Sequence, residues 1–114
     1  MKNSSLAVAL FTGSLGFVGM AYAAEHTGHQ TEAVTHTQQA IEHGKMGHAD
    51  VATEHCTQAL THAEAGAKAT ADPHMDEGIK HLKDCVEHGK MGHADVATEH
   101  ATTAMEHLNQ AYKK

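Results

Sequence analysis

Histidines recur at seven-residue intervals in four runs of three, and this spacing is the feature of the sequence best suited to chemistry. The imidazole nitrogens of histidine are common ligands for transition-metal ions. Seven residues make nearly two turns of an α-helix, so each run would form one stripe along a helix. The predicted metal ligands are these twelve stripe histidines: His29, His36, His43, His48, His55, His62, His74, His81, His88, His93, His100 and His107.

Successive histidines of one stripe would lie about 10.5 Å apart, because an α-helix rises about 1.5 Å per residue. One ion cannot span that distance. We therefore predict a separate site at each level, completed across a helix interface or by a residue three or four positions away. Glu32, Glu77 and Asp84 are acidic residues at such positions. Met46 and Met91 lie between adjacent stripes, where they either pack within a turn or act as soft ligands for Cu(I).

A repeat positions the stripes along the chain. The sequence EHGKMGHADVATEH occurs at 42–55 and again at 87–100, forty-five residues later. Outside its Gly-Lys-Met-Gly turn, apolar and small residues recur at three- and four-residue steps, which is typical of amphipathic helices. Asp72 and Pro73 form a good N-cap and first helical residue. After a frayed start over 25–30, the pattern predicts helices over about 28–43, 48–68, 73–88 and 93–112.

The short connections predict an all-α fold, an antiparallel up-down-up-down four-helix bundle built from two repeated hairpins, about 27–68 and 72–113. No segment has the two-residue alternation of a strand. On each helix the apolar face lies about 100° around from the histidines, so the stripes of neighbouring helices would meet at every second interface. We predict that they meet within each hairpin, and stripes that meet between helices two and three and helices one and four are the alternative. The predicted pairs are His29–His62, His36–His55, His43–His48, His74–His107, His81–His100 and His88–His93. The sequence leaves both arrangements open.

The first 23 residues have the pattern of a secretory signal peptide. Lys2 precedes an apolar stretch over 6–18, and Ala21-Tyr22-Ala23 has the small residues of a cleavage site. The stretch is too short and too interrupted by glycine and serine to favour a permanent membrane span. We therefore expect a mature domain over 24–114, located in the periplasm and free of the membrane after cleavage.

The amino-acid composition limits the classes of partner that the chain can bind. It has fourteen acidic residues, no arginine and a formal net charge of −6 with neutral histidines, which argues against nucleic acid and favours cations. Cys56 and Cys85 would be able to pair in an oxidising compartment. Helix register, however, places them several residues apart in height, so we favour unpaired core cysteines and keep a Cys56–Cys85 disulfide as the alternative. Met75 and Met105 also lie on apolar faces and are predicted core residues.

The ligand types narrow the choice of metal. Imidazole with carboxylate suits Cu(II), Ni(II) and Zn(II), and Cu(II) binds such sites most strongly. We therefore predict copper, with nickel or zinc as alternatives. The sequence has no CxxC pair, no HExxH motif and no glutamate followed three residues later by histidine. We accordingly predict that the protein is not an enzyme.

The signal peptide, the heptad-spaced histidines and the segments EHGKMGH and HADVATEHATTAMEHL resemble the small metal-binding protein family. The resemblance implies a periplasmic, histidine-rich four-helix bundle that binds copper and other divalent metals at several sites. It also implies metal scavenging, buffering or storage, with a role in copper tolerance, and it carries the ligand role over to the twelve stripe histidines. Cys56 and Cys85 depart from the family pattern.

The functional prediction is multi-site binding of Cu(II) and other divalent ions by a monomer, for buffering, sequestration or storage. Two alternatives remain open. One is a metallochaperone that delivers copper to a single partner, which would need one tight site and a docking surface. The other is a pH-responsive structural or interaction module whose histidines only titrate and hold no metal. The sequence identifies no protein partner.

Overall fold

A computed structural model describes residues 17–69 and 71–113, with side chains from Thr27 onward. Within these residues the chain forms four α-helices and no strand, so the predicted all-α bundle is confirmed. The helices are α1 (Phe17–Lys45), α2 (Ala49–Ala67), α3 (Pro73–Lys90) and α4 (Ala94–Tyr112). We call α1 with α2 the first hairpin and α3 with α4 the second hairpin.

The predicted bounds of α2, α3 and α4 agree with the structure to within about three residues, whereas the predicted start of α1 is wrong. This helix begins at Phe17 rather than near Gly28. The segment 17–30 has no proline, and its three alanines favour a helix, so nothing in it stops one. Residues 1–16 of the expected signal peptide lie outside the described residues. No helix in the described part of the chain combines the length and the hydropathy needed to cross a membrane.

Glycine closes both hairpin turns. Gly47 and Gly92 each have a φ of 80°, in the left-handed region that glycine adopts without strain. In the first turn the N–H of Gly47 donates to Gly44 O at 2.9 Å, and the N–H of His48 donates to His43 O at 2.9 Å. These two bonds are those of a Schellman motif, which satisfies the last carbonyls of a helix. The second turn repeats the pattern, and so the repeated sequence builds the same turn twice.

The four helices pack around a core of mostly small side chains. Each hairpin pairs its own helices, and α2 also packs against α3 while α1 packs against α4. Gly44 lies directly against Thr98, and Gly89 lies directly against Thr53. A methyl group at either glycine would collide with the threonine, so these positions set how closely the two hairpins approach. Leu82 and Leu108 are the largest of the fully buried side chains in the described residues.

Cys56 and Cys85 lie in the core as predicted, and they form a disulfide, with Cα atoms 6.3 Å apart, which is the less favoured of the two alternatives. The link between α2 and α3 sets the register of these two helices. Cys56 lies eleven residues before Ala67, the end of α2, and Cys85 lies twelve residues after Pro73, the start of α3. The two cysteines are therefore at nearly the same height. Their disulfide covalently joins the two hairpins.

Candidate metal sites

The histidine stripes face each other within each hairpin. The Nδ1 atoms of His29 and His62 are 3.0 Å apart, and those of His36 and His55 are 3.3 Å apart. The second hairpin has the same arrangement, with 3.2 Å for the pairs His74–His107 and His81–His100. The alternative, in which stripes meet between α2 and α3 and between α1 and α4, is therefore wrong. Paired positions run in opposite directions along the two helices of each hairpin.

The predicted pairs within each hairpin are confirmed, but the rings do not form isolated levels. The inner four histidines of each hairpin also lie against a ring one level away on the facing helix, with the ring planes of His36 and His62 only 5° apart. Adjacent ring centroids are 5.3–5.9 Å apart along the whole series. Each hairpin thus holds a continuous zigzag of six rings, which we call an imidazole column. In order along the interface, the column of the first hairpin is His29, His62, His36, His55, His43 and His48. The column of the second hairpin is His74, His107, His81, His100, His88 and His93.

The hairpin turn builds the last step of each column. In a Schellman motif the residue three positions inside the helix end approaches the second residue beyond it. His43 and His48 occupy these two positions in the first turn, and their ring centroids are 5.8 Å apart. His88 and His93 do so in the second turn, at 5.9 Å. The stripe histidines are half-buried except His48 and His93, which are exposed, so each column opens to solvent at its turn.

Three groups combine two imidazoles with one carboxylate, and the ligand atoms of each group lie within 4.8 Å of one another. They contain all three acidic residues singled out from the sequence. In the group containing Glu32, one carboxylate oxygen is 3.5 Å from His36 Nε2. In the group containing Asp84, a carboxylate oxygen of Asp84 is 3.8 Å from His100 Nδ1. The groups are Glu32–His36–His62, Glu77–His81–His107 and His81–Asp84–His100.

Seven predicted ligands lie in the columns without belonging to such a group: His29, His43, His48, His55, His74, His88 and His93. The assignment of all twelve stripe histidines as ligands stays a prediction. Met46 and Met91 are 57% and 56% exposed, so the interpretation that they pack within the turns is wrong. The two GKMG turns extend these side chains into solvent. Met75 is a buried core residue, and Met105 packs against the core.

Buried atoms without partners mark positions that favour a ligand. Among the described side chains, His43 Nδ1, His88 Nδ1 and Gln39 Oε1 are buried with no hydrogen-bond partner. A buried polar atom without a partner is costly, and coordination to a metal ion would satisfy it. Gln39 was not singled out from the sequence. The repeat would have pointed to it, because Gln39 occupies in the first hairpin the position that Asp84 occupies in the second.

Two histidines of the columns, one in each hairpin, have pKa values shifted toward the neutral form. Burial, followed by repulsion from His36 and His43, lowers the pKa of His55 below its ordinary value of 6.5. Burial, followed by repulsion from His100, lowers the pKa of His81 in the same way, although Asp84 partly opposes the shift. A metal ion binds only the unprotonated nitrogen of a neutral ring. The packing of the rings therefore keeps these two histidines in the form that can bind metal at neutral pH.

Comparison with known proteins agrees with this chemistry. The family model described as small metal-binding protein matches residues 1–111, nearly the whole chain. None of the curated proteins compared with the sequence matches it.

Proposed function

Because the chain belongs to the small metal-binding protein family, we propose that its imidazole columns bind several divalent transition-metal ions reversibly, with Cu(II) preferred. The ions are cargo rather than a resident cofactor. The observation that carries the proposal is the continuous contact of six rings in each hairpin, together with three groups that add a carboxylate. Metal binding follows from the family and from these groups. The choice of copper follows from ligand preference alone.

The donor set supports a divalent ion of intermediate softness. Two neutral imidazoles and one carboxylate give a site a net charge of −1, which offsets part of the charge of the ion. Imidazole with carboxylate binds Cu(II) more strongly than Ni(II) or Zn(II). Each group supplies three ligand atoms, so solvent would complete the coordination shell. The carboxylates of Glu32 and Glu77 are on exposed residues, which leaves those sites accessible for loading.

Release would follow from protonation. Neutral histidine is protonated as pH falls below about 6.5, and a protonated ring cannot hold a metal ion. A protein with many accessible sites and pH-dependent release suits buffering, sequestration or storage, including a contribution to copper tolerance. We propose that it does so in the periplasm after removal of residues 1–23. Delivery to one partner would need one site distinct from the rest, whereas the two columns repeat the same geometry.

Equilibrium dialysis of the full chain against Cu(II) tests the proposal. We expect several bound ions per chain at about pH 7.5 and almost none at about pH 4.5, where the histidines are protonated. The double variant His36→Gln with His62→Gln should bind fewer ions. His26→Gln is the matched control, because His26 lies outside the seven-residue pattern. Retention of no ion would favour the pH-responsive module, and one tight ion would favour the metallochaperone.

A further inference from the structure

His81 belongs to two carboxylate-containing groups, unlike any other histidine in the described residues. One group adds Glu77 and His107, and the other adds Asp84 and His100. Two ions can share one imidazole only if each binds a different ring nitrogen. The arrangement of the ring between the two groups therefore decides whether both can be filled together.

A direct contact places one nitrogen of the His81 ring. His81 Nδ1 is 3.2 Å from the Nδ1 of His100, and so it faces the group that contains Asp84. The other side of the ring is defined by comparison with His36, its equivalent in the first hairpin. There Nδ1 is 3.3 Å from His55 Nδ1, while Nε2 is 3.5 Å from a carboxylate oxygen of Glu32.

The ring stacking in the two hairpins justifies that comparison. The centroids of His81 and His107 are 5.8 Å apart with planes at 6°, and those of His36 and His62 are 5.9 Å apart with planes at 5°. By this comparison we place Nε2 of His81 on the side of Glu77 and His107, the other two members of its second group. Each nitrogen of the ring thus faces its own carboxylate and its own partner imidazole.

From this arrangement we propose that His81 bridges two metal ions, making the second hairpin a dinuclear centre. The inference rests on the proposed function. A neutral imidazole has one lone pair and one N–H, so the first ion binds the free nitrogen. The second ion binds the other nitrogen, whose proton passes to solvent as the ring becomes imidazolate. No electron is transferred. The two carboxylates and the imidazolate offset three of the four positive charges.

The first hairpin lacks one component of this centre. His36 has Glu32 and His62 beside one nitrogen, as His81 has Glu77 and His107. The position of Asp84, forty-five residues earlier, is occupied by Gln39. A neutral amide does not supply the negative charge that a second divalent ion needs beside the first. The dinuclear centre is therefore specific to the second hairpin.

Electron paramagnetic resonance of the full chain loaded with Cu(II) tests the bridge. Two Cu(II) ions joined by an imidazolate couple their spins, and the signal of both is lost at low temperature. At saturation we expect the visible spins to number two per chain fewer than the bound copper, which is measured on the same sample. Asp84→Gln makes the second hairpin resemble the first. It should abolish the deficit and reduce bound copper by one ion per chain.

The reciprocal variant Gln39→Asp should add one bound copper ion per chain and double the difference between bound copper and visible spins. This variant tests the bridge independently if Asp84→Gln fails to fold. Glu106→Gln is the control, because Glu106 is exposed and lies outside the three groups. It should leave both the bound copper and the deficit unchanged. Visible spins equal to bound copper in the natural chain, or a deficit that survives Asp84→Gln, would overturn the bridge alone. Failure of the natural chain to bind copper would overturn the proposed function as well.

Discussion

The two hairpins hold equivalent imidazole columns on different cores. In the second hairpin Leu108 fills the core and packs against Gly78, where a Cβ would lie 3.0 Å from a leucine methyl group. The equivalent residues in the first hairpin are two alanines, Ala63 and Ala33, both fully buried. Despite this exchange of volume, the stacked pairs at the middle of the two columns differ by only 0.1 Å in separation, 5.9 Å against 5.8 Å.

This agreement indicates what sets the geometry of a column. The parts common to both hairpins are the seven-residue histidine spacing, the glycine turn and the glycine that lies against a threonine of the other hairpin. Several core residues, the cysteines and the residue at position 39 or 84 differ. Column geometry therefore follows from the repeated backbone, while the carboxylates and the core distinguish the two hairpins in charge and stability.

Replacing core residues of the second hairpin with those of the first should change the free energy of unfolding more than any other variant proposed. Leu108→Ala should lower the free energy of unfolding by about 2–5 kcal/mol, because it leaves a cavity in the core. Adding Gly78→Ala should recover part of this loss, since the new methyl group enters the space that Leu108 vacates and alanine favours the helix. Urea unfolding of the two variants measures both values. A double variant less stable than Leu108→Ala would contradict this account of the packing.

Removing the disulfide makes the hairpins alike at the cysteine positions, since Cys56 and Cys85 correspond to Ala101 and Ala40. The bond closes a loop with a sequence separation of 29. Replacing both cysteines with alanine should lower the free energy of unfolding by about 3.5 kcal/mol, mostly through the greater entropy of the unfolded chain. Denaturant unfolding checks this, with reductant affecting only the natural chain. A loss below about 1 kcal/mol would mean that packing alone holds the hairpins together.

Gly44 and Gly89 should contribute equally to the stability of the fold. Gly44→Ala and Gly89→Ala each place a methyl group against a threonine of the other hairpin, so each should lower the free energy of unfolding by about 1–3 kcal/mol. Combining Gly44→Ala with Thr98→Ala should restore most of the loss. Gly28→Ala is the control, because nothing lies within 4 Å of its Cβ position. Thermal unfolding of the four variants would refute the equivalence if one hairpin alone responded.

Acid should weaken the metal-free fold, and one histidine in each hairpin should contribute. His55 and His81 have pKa values below 6.5 in the folded chain, so between that lowered pKa and 6.5 the unfolded chain binds more protons. Their stabilisation is complete above pH 6.5 and is lost as pH falls toward the folded pKa. His55→Gln and His81→Gln should each make the free energy of unfolding less dependent on pH. An unchanged dependence in both variants, measured with chelator present, would contradict this.

Much of the fold and most of the candidate ligands could be predicted because helical period is a local property. The heptad spacing places three histidines on one helix face whatever the helix packs against. Which interface the stripes share, and how far one slides past the other, depends on the contact of whole helices. The offset between the two helices of a hairpin places the rings in a zigzag instead of at separate levels. It also brings Glu32 to the pair His36–His62 rather than to His36–His55. The same dependence on register makes the Cys56–Cys85 disulfide the less favoured alternative from the sequence.

Anomalous scattering from a crystal of the protein grown with excess Cu(II) tests the central claim most directly. The account predicts copper peaks along both hairpin interfaces, each about 2.0 Å from column imidazole nitrogens, as is usual for metal–imidazole bonds. Peaks should occur in the groups that contain Glu32 and Glu77. Copper bound only elsewhere on the surface, with the two columns empty, would contradict it.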